Sequence, residues 1–584
     1  MLFTMKLRAS LLIVLLTFFY VLAQAQQDLP HVMGESEKNL MPSYLQNRVS
    51  PGTGTFSVLP PTSPVRTIAE WEELQGLVIG WVSYTSMLRE IVRAAKQECR
   101  VYILSPNAQT VFNYLAAGGV DTVNVTVLNI PFNSVWSRDY GPWSAYTNNV
   151  DTLITIDWTY NRPRPADDAS PVGIATAINT PIYQTTTAPN DLIHTGGNFM
   201  CDGFGTGFSS NLILNENPTH TESEIDTIMS KFMGIKRYIK MPILPYDAIH
   251  HIDMHMKLIN EETLVMGQYP LGVADGPQIE ANLQYILANH NSVYGTPYKV
   301  IRIPMPDDNG AYPNTNGDYF TYTNSSFINK TLIVPTYNIP EDSVALNIYR
   351  QALPGYTVTG INSTASIGAL GALHCITKEL GTADPLLISH QQLSDTYNTA
   401  SPYQVIALMQ HRTGIQTATL FYRTDTVMPY LQVSMMPMIG NPGYFAGPIP
   451  PQPAGTRIYY YVSATAVSGK QQVRPLPAPA AYFYFNVLNN VGIAEANNAQ
   501  VFVEDVFPNP ASAITCIALK IASQTSLTVS LTDILGKNVK TVFKGESLPG
   551  DKKVFFNASE LSVGIYAVRI ETASQTVTRK IVIK

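Results

Sequence analysis

The chain has 584 residues, 14% of them charged and 45% hydrophobic, with 32 Tyr, 41 Pro and 37 Gly. That composition excludes a disordered chain, which needs low hydrophobicity and high net charge, and a coiled coil, which needs about half Ala, Glu, Lys, Leu and Arg. The balance of 37 basic and 43 acidic residues gives a net charge of −6 without long runs, which argues against nucleic-acid binding.

The chain opens with Lys6 and Arg8, an apolar run over residues 11–22 and then Ala23-Gln24-Ala25. A positive start, a short apolar stretch and a small-x-small site predict an export signal over residues 1–25. The run is too short to count on as a membrane span, and no later stretch reaches about 18 apolar residues, so no transmembrane segment is expected. Residues 26–64 are polar, without a clear period, and predict a pro-segment or extended arm.

From 65 to 388 strands and helices alternate. Apolar runs predict strands over 77–82, 101–104 and 122–130, and helical spacing predicts helices over 87–97 and 111–117. The alternation recurs from 211–215 through a helix near 222–233 to a strand over 238–241. A hairpin over 255–266 leads to a helix near 278–288 and a strand over 299–303. Residues 327–335 lead to a helix near 343–352 and a strand over 356–360. One repeated unit of hairpin, helix and strand predicts an α/β fold with propeller-like closure, which removes sheet edges.

Residues 389–488 lose the helices. Short strands over 405–410, 417–422, 431–435, 457–464 and 481–487, between Pro and Gly turns, predict an immunoglobulin-like β-sandwich. Residues 489–500 are Asn-rich and read as a linker. Residues 501–584 predict a separate β-rich module with strands over 526–533, 536–543, 553–556, 564–570 and 576–583. This block carries ten Lys/Arg against seven Asp/Glu, opposite in sign to the whole chain.

The four cysteines, Cys99, Cys201, Cys375 and Cys516, show neither disulfide-scaffold nor zinc-finger spacing. Cys99 and Cys516 lie in apolar patterns and read as small packed hydrophobes. Cys375 follows His374 and the small-residue run Gly368-Ala369-Leu370-Gly371-Ala372, which lets backbone approach a ligand. It is the better candidate nucleophile, although a buried inert thiol is the alternative.

Asp139 lies between Trp136 and Trp143, whose rings would exclude water; a simple Arg138–Asp139 pair is the alternative. His251 and Asp253, two apart, would share one face of a strand and suit acid–base work. The alternative is a metal site with His255. Thr195-Gly196-Gly197-Asn198 and the turn holding Asn324 lie, like His251 and Cys375, at the start of repeat units. Radial closure would bring all of them to one axis. Arg162 and Arg164, each followed by proline, could grip a carboxylate bidentately; a solvated basic loop is the alternative.

Five motifs, WSRDYGPW (136–143), HTGGNFMCDGFG (194–205), HHIDMHMKL (250–258), YTNSSFINK (322–330) and ALHC (372–375), stand in this order over about 240 residues. Together they resemble the guanidine-modifying agmatine deiminase group, and within it the bacterial, Porphyromonas-type peptidylarginine deiminases. The resemblance implies a five-bladed α/β propeller (pentein) and hydrolysis of a guanidinium to citrulline and ammonia. It implies Cys375 as nucleophile, His251 as acid–base, Asp139 and Asp253 as guanidinium clamp and Asn324 as positioning residue, beside Trp136. It also implies that Arg162 and Arg164 recognise a C-terminal arginine, and that no organic cofactor or metal is needed. The tail from about Val501, with Pro508-Asn509-Pro510, resembles a type IX secretion sorting domain. That implies partnership with the secretion machinery and an outer-membrane surface location. Peptides and proteins bearing arginine are then the expected substrates, and we expect a monomer. The competing readings are a small-guanidine enzyme such as an agmatine deiminase, and a surface adhesin without activity.

Overall fold

The computed structural model describes residues 29–47, 56–269, 275–306, 320–489 and 501–584. The expected export signal and nearly all of the expected linker lie outside the described residues. Residues 66–380 hold five units of similar build. Met256–Asn260 and Thr263–Gln268 form an antiparallel hairpin, helix Gly276–Asn289 follows, and Lys299–Pro304 returns parallel to the second strand. Ser326–Ile328, Thr331–Thr336, helix Pro340–Ala352 and Thr357–Asn362 repeat that order.

Two further units are less legible in sequence. The one expected to open at 211–215 opens earlier, with Met200–Cys201 antiparallel to Thr206–Ser210. Residues 212–216 are instead helical, Leu212–Glu216. Gly207, Ser209 and Ser210 keep the strand from reading as apolar although all are buried. The other unit is Trp143–Thr147, Leu153–Tyr160, helix Pro165–Ala177 and Ile182–Thr185. In the first unit the hairpin partner comes from the far end of the region. Lys378–Gly381 pairs antiparallel with Leu74–Gly80, which runs parallel to Arg100–Leu104 across helix Thr85–Ala95. Residues some 300 apart in sequence are thereby tied by main-chain hydrogen bonds, close to the limits of the 66–380 region.

Local chemistry explains the elements. Helix Thr85–Ala95 buries Met87, Leu88, Ile91, Val92 and Ala95, spaced to lie on one face. Helix Glu222–Met233 starts at a capping box of Thr221 with Glu224 and stops at Gly234, whose positive φ suits glycine. Residues 26–64 are not simply extended: Glu35–Asn47 is a helix with Glu35 and Glu37 in its first turn. Acidic residues there favour the positive end of the helix dipole. Pro42 inside the helix, and a largely exposed surface, conceal it from periodicity.

The chain beyond 381 is β-rich. Tyr403–Gln410, Tyr444–Ile449 and their neighbours form one antiparallel sheet; Ile415–Arg423, Arg457–Ala466, Gln471–Arg474 and Phe483–Asn486 belong to a second. Val405, Leu420, Ile458 and Val462 lie in one shared core. Arg474 pairs with Glu261 of the 256–268 hairpin at 3.0 Å, both side chains buried. The last 84 residues form two more antiparallel sheets, one carrying Val501–Phe507 and Ile514–Ile521, which sequence patterning left out. No helix among the described residues is long and apolar enough to cross a membrane.

Candidate active site

Turns of several units deliver the candidate side chains to one place. Asp139 sits on the short helix Ser137–Tyr140, Asn324 just before Ser326–Ile328, and Cys375 between helix Thr364–Ile367 and Lys378–Gly381. His251 and Asp253 are not on a strand. His251 is extended and Asp253 lies in the 3-10 turn Ile252–Met254, because the chain must bend before entering Met256–Asn260. Trp136, Asp139, His251, Asp253, Asn324 and Cys375 are all completely buried.

Asn324 organises the cysteine. Its Oδ1 accepts from the main-chain N–H groups of Ala372, His374 and Cys375 at 3.2, 3.0 and 3.3 Å. Its Nδ2 donates to Cys375 Sγ at 3.1 Å. The thiol in turn faces Asp253 Oδ2 at 3.6 Å. Burial pushes the Cys375 thiol well up, and the carboxylates of Asp253 and Asp139 push it further. Unliganded, Cys375 is therefore a protonated thiol.

The two carboxylates are held differently. Asp253 Oδ2 meets His374 Nδ1 at 2.7 Å, and His374 Nε2 meets Glu70 Oε2 at 3.1 Å. Burial would raise Asp253, but His374 outweighs it and holds the carboxyl below its ordinary value. Asp253 Oδ1 is buried without a hydrogen-bond partner. Asp139 Oδ1 accepts the Gly197 N–H at 3.1 Å, and Oδ2 lies 2.5 Å from His31 Nε2. Burial again opposes ionisation of Asp139, but His31 and His251 prevail and hold it well below the carboxylate range. A Cβ on Gly197 would collide with His251 Nδ1 and stand 3.1–3.2 Å from Asp139 and Asp253, so glycine is required for this approach. His251 Nδ1 is 3.7 Å from Asp139 Oδ1. Burial pushes the His251 imidazole down to about 3 despite Asp139, leaving it neutral.

Behind these groups lies an ion network that is buried except at Glu70. Arg138 pairs with Glu379 at 2.6 Å rather than with its neighbour Asp139, and Lys378 with the same carboxylate at 2.7 Å. Lys257 pairs with Glu70 at 2.9 Å and donates to Ser325 O at 2.6 Å. Arg162 and Arg164 are not a solvated loop: they are 5% and 2% exposed, in the turn between Leu153–Tyr160 and helix Pro165–Ala177. Arg164 grips the Glu37 carboxylate from Nε at 2.7 Å and Nη2 at 3.1 Å. Arg162 Nε donates to His31 O at 3.1 Å.

Sequence reading missed His31, Glu37, Glu70 and the role of His374. His31 and Glu37 come from a polar arm with no pattern to betray them, and Glu70 from a plain turn beside Trp71. The adjacency of His374 to Cys375 was the one available signal. Among the described residues, ligand atoms of His31, Asp139 and His251 lie within 4.8 Å of one another, so only His251 of the His251, Asp253 and His255 alternative belongs to the cluster. The direct 2.5 Å contact of His31 with Asp139 leaves no room for an ion between them. All four cysteines are buried and in no disulfide, and Cys201 is spent on a hydrogen bond to Ile68 O.

Residues 66–380, more than half of the chain, match the family model described as Porphyromonas-type peptidyl-arginine deiminase. Residues 505–584 match the secretion-system C-terminal sorting domain. The protein is thus a secreted one that is attached to the cell surface through the type IX route. A "Putative agmatine deiminase" of Legionella pneumophila (strain Paris) is 24% identical over 266 residues, covering 44% of this chain and 75% of its own. The solved "Putative Arginine Deiminase from Porphyromonas gingivalis" is 20% identical, with a TM-score of 0.49, over 55% of this chain and 99% of its own. The solved "Agmatine deiminase of Enterococcus faecalis" is 19% identical, with a TM-score of 0.49, over 56% of this chain and 100% of its own.

Proposed function

Since this chain belongs to the Porphyromonas-type peptidyl-arginine deiminase family, a family of guanidine-modifying hydrolases, we propose that it hydrolyses the guanidinium of peptide or protein arginine, with preference for a C-terminal arginine, to citrulline and ammonia. The reading includes five units closed as a propeller over 65–388, an immunoglobulin-like sandwich over 389–488, and the sorting module over 501–584. The observation that carries the function is the placing of Cys375 Sγ against Asn324 and Asp253, with Asp139 in the same buried cluster.

The chemistry follows from the charges. Two ionised carboxylates in a dry site demand a cation, and a planar guanidinium matches them in fork geometry. Its arrival cancels the negative field that keeps the Cys375 proton in place, so substrate helps to make the thiolate. Sulfur attacks the central carbon, forming a C–S bond and a tetrahedral adduct. The proton released from Cys375 passes to His251, which gives it to one nitrogen; the C–N bond breaks, that nitrogen leaves as ammonia, and the carbon remains on sulfur as a thiouronium. His251 then accepts a proton from water, the oxygen adds to that carbon, and the C–S bond breaks to give the ureido product. Asn324 holds the sulfur, and Trp136 walls the guanidinium. Arg162 and Arg164 would take the substrate's carboxylate, as Arg164 takes that of Glu37.

A small-guanidine enzyme is the second reading, favoured by the Legionella relative's name. Agmatine carries no carboxylate, so it would leave the two buried arginines without a part in binding substrate. Mass spectrometry of an arginine-ended peptide distinguishes the readings. Wild type should add about one dalton at the arginine and release ammonia, and Cys375→Ala should lose at least about a thousandfold in rate. Conversion of agmatine alone would move the assignment to the small-guanidine enzyme.

A further inference from the structure

The described part of the arm, residues 29–47, ends inside the site. His31 is completely buried there, its ring flat on Trp136 with centroids 4.3 Å apart and planes within 7°. It meets His251 edge-on at 4.9 Å. Nδ1 lies 2.8 Å from Leu370 O, and Nε2 lies 2.5 Å from Asp139 Oδ2. His31 is held there flat, with a polar ring nitrogen at each of two opposite edges, one against a carbonyl and one against a carboxylate. Those are the attributes of a guanidinium.

The rest of the arm copies the rest of a substrate. Glu37 places a carboxylate in the two-point grip of Arg164, and Pro30 O accepts from the same guanidinium at 2.6 Å. Arg162 holds the His31 carbonyl, and Trp136 Nε1 donates to Leu29 O at 2.9 Å. Imidazole, main chain and carboxylate of the arm each meet a group that the proposed reaction needs for its substrate.

We infer that residues 29–37 are a cis-acting ligand of the deiminase site, with His31 in the guanidinium position and Glu37 in the carboxylate position, so that substrate enters only when the arm has left. The inference rests on the proposed function only for the identity of the substrate excluded. A tethered ligand acts at an effective concentration in the millimolar range, and apparent affinity for substrate falls with the open fraction.

The test uses the full chain carrying His31→Ala with Glu37→Ala, and separately Glu37→Gln. Two rates are read: conversion of an arginine-ended peptide, and alkylation of Cys375 by 2-chloroacetamidine. Cys375 Sγ displaces chloride from the methylene carbon of that small planar cation, so a C–S bond forms, the C–Cl bond breaks and chloride and the thiol proton leave to solvent; Cys375→Ala gives the blank. Opening the site should raise both rates at least about tenfold in the double variant, with a smaller rise for Glu37→Gln. Folded variants with rates equal to or below wild type would overturn the inference. Should the double variant fail to fold, Glu37→Gln, altered only at a partly exposed side chain, decides by the same criterion. Faster alkylation with no conversion of peptide or agmatine would keep the arm's role and remove the deiminase reading. Conversion by wild type at the rate of the variants would do the reverse.

Discussion

The region over 66–380 and the sheets that follow it bury different kinds of side chain. The first hides Arg138, Asp139, Asp253, Lys257, Lys378 and Glu379, each 2% exposed or less. In the second, Tyr403–Gln410 and Arg457–Ala466 largely alternate buried with more exposed positions, and the fully buried ones are apolar or small. Arg474, His390 and His411 are buried exceptions, and Arg474 faces back to Glu261. Burying an ion costs several kcal/mol that pairing must offset, whereas burying Val or Leu contributes directly. A chain that accumulates buried charge in one region and not in another is therefore showing where stability was subordinated to chemistry.

The difference should appear in how each region fails. Arg138→Ala would leave Glu379 with Lys378 alone in a dry site, and should destabilise the protein by about 3–5 kcal/mol. Leu420→Ala in the sheets should cost about 2–5 kcal/mol by a different route, an unfilled cavity. The two are told apart by a second change: Arg138→Met alone should recover little of the first loss, because Glu379 stays ionised in a dry site, whereas Arg138→Met with Glu379→Gln should recover much of it. Denaturant unfolding of Arg138→Ala, Arg138→Met and Arg138→Met/Glu379→Gln reads this. A single Met variant as stable as the double one would break the contrast.

Acid sharpens the same contrast. His255 is buried with neither ring nitrogen hydrogen-bonded, and burial pushes it down to about 4, against a smaller opposing pull from Asp253. Its folded value is below its unfolded one, so the unfolded chain takes up the proton first. Stability is intact above about pH 6.5 and is lost as the pH falls towards 4. The gap corresponds to about 3 kcal/mol at pH 4. The stability of His255→Met relative to wild type should rise by that amount between pH 7 and pH 4, and parallel pH curves for the two would remove the effect.

Sequence reveals those parts of the molecule that local rules determine. Helices such as Glu222–Met233 and the hairpin over 256–268 announce themselves through caps and apolar spacing. The strand Thr206–Ser210 does not, because it is buried through small residues rather than apolar ones. Cys375, Asp139, His251, Asp253 and Asn324 were legible because their motifs sit at unit boundaries, which the fold gathers. Glu70 and His31 were not, since each acquires its role from a contact more than 100 residues away: Glu70 with His374, and His31 with Asp139. No window of sequence contains such a contact. The burial of Arg162 and Arg164 belongs to the same class, being imposed by elements on either side of them.

Those two arginines provide the finest division between regions, within the site itself. In the proposed reaction Cys375, Asp139 and Asp253 would act on any guanidinium, while Arg162 and Arg164 would act only on what surrounds it. Arg162→Ala with Arg164→Ala should therefore reduce kcat/KM on arginine-ended peptides about 10–100-fold more than on peptides with internal arginine, as expected for loss of charge-assisted hydrogen bonds worth about 1.5–3 kcal/mol. The ratio of the two substrates is the right quantity. The same substitutions also free the arm's Pro30, His31 and Glu37 from the two arginines, and that release should accelerate both substrates alike. An unchanged ratio would mean that the carboxylate grip serves the arm and not the substrate.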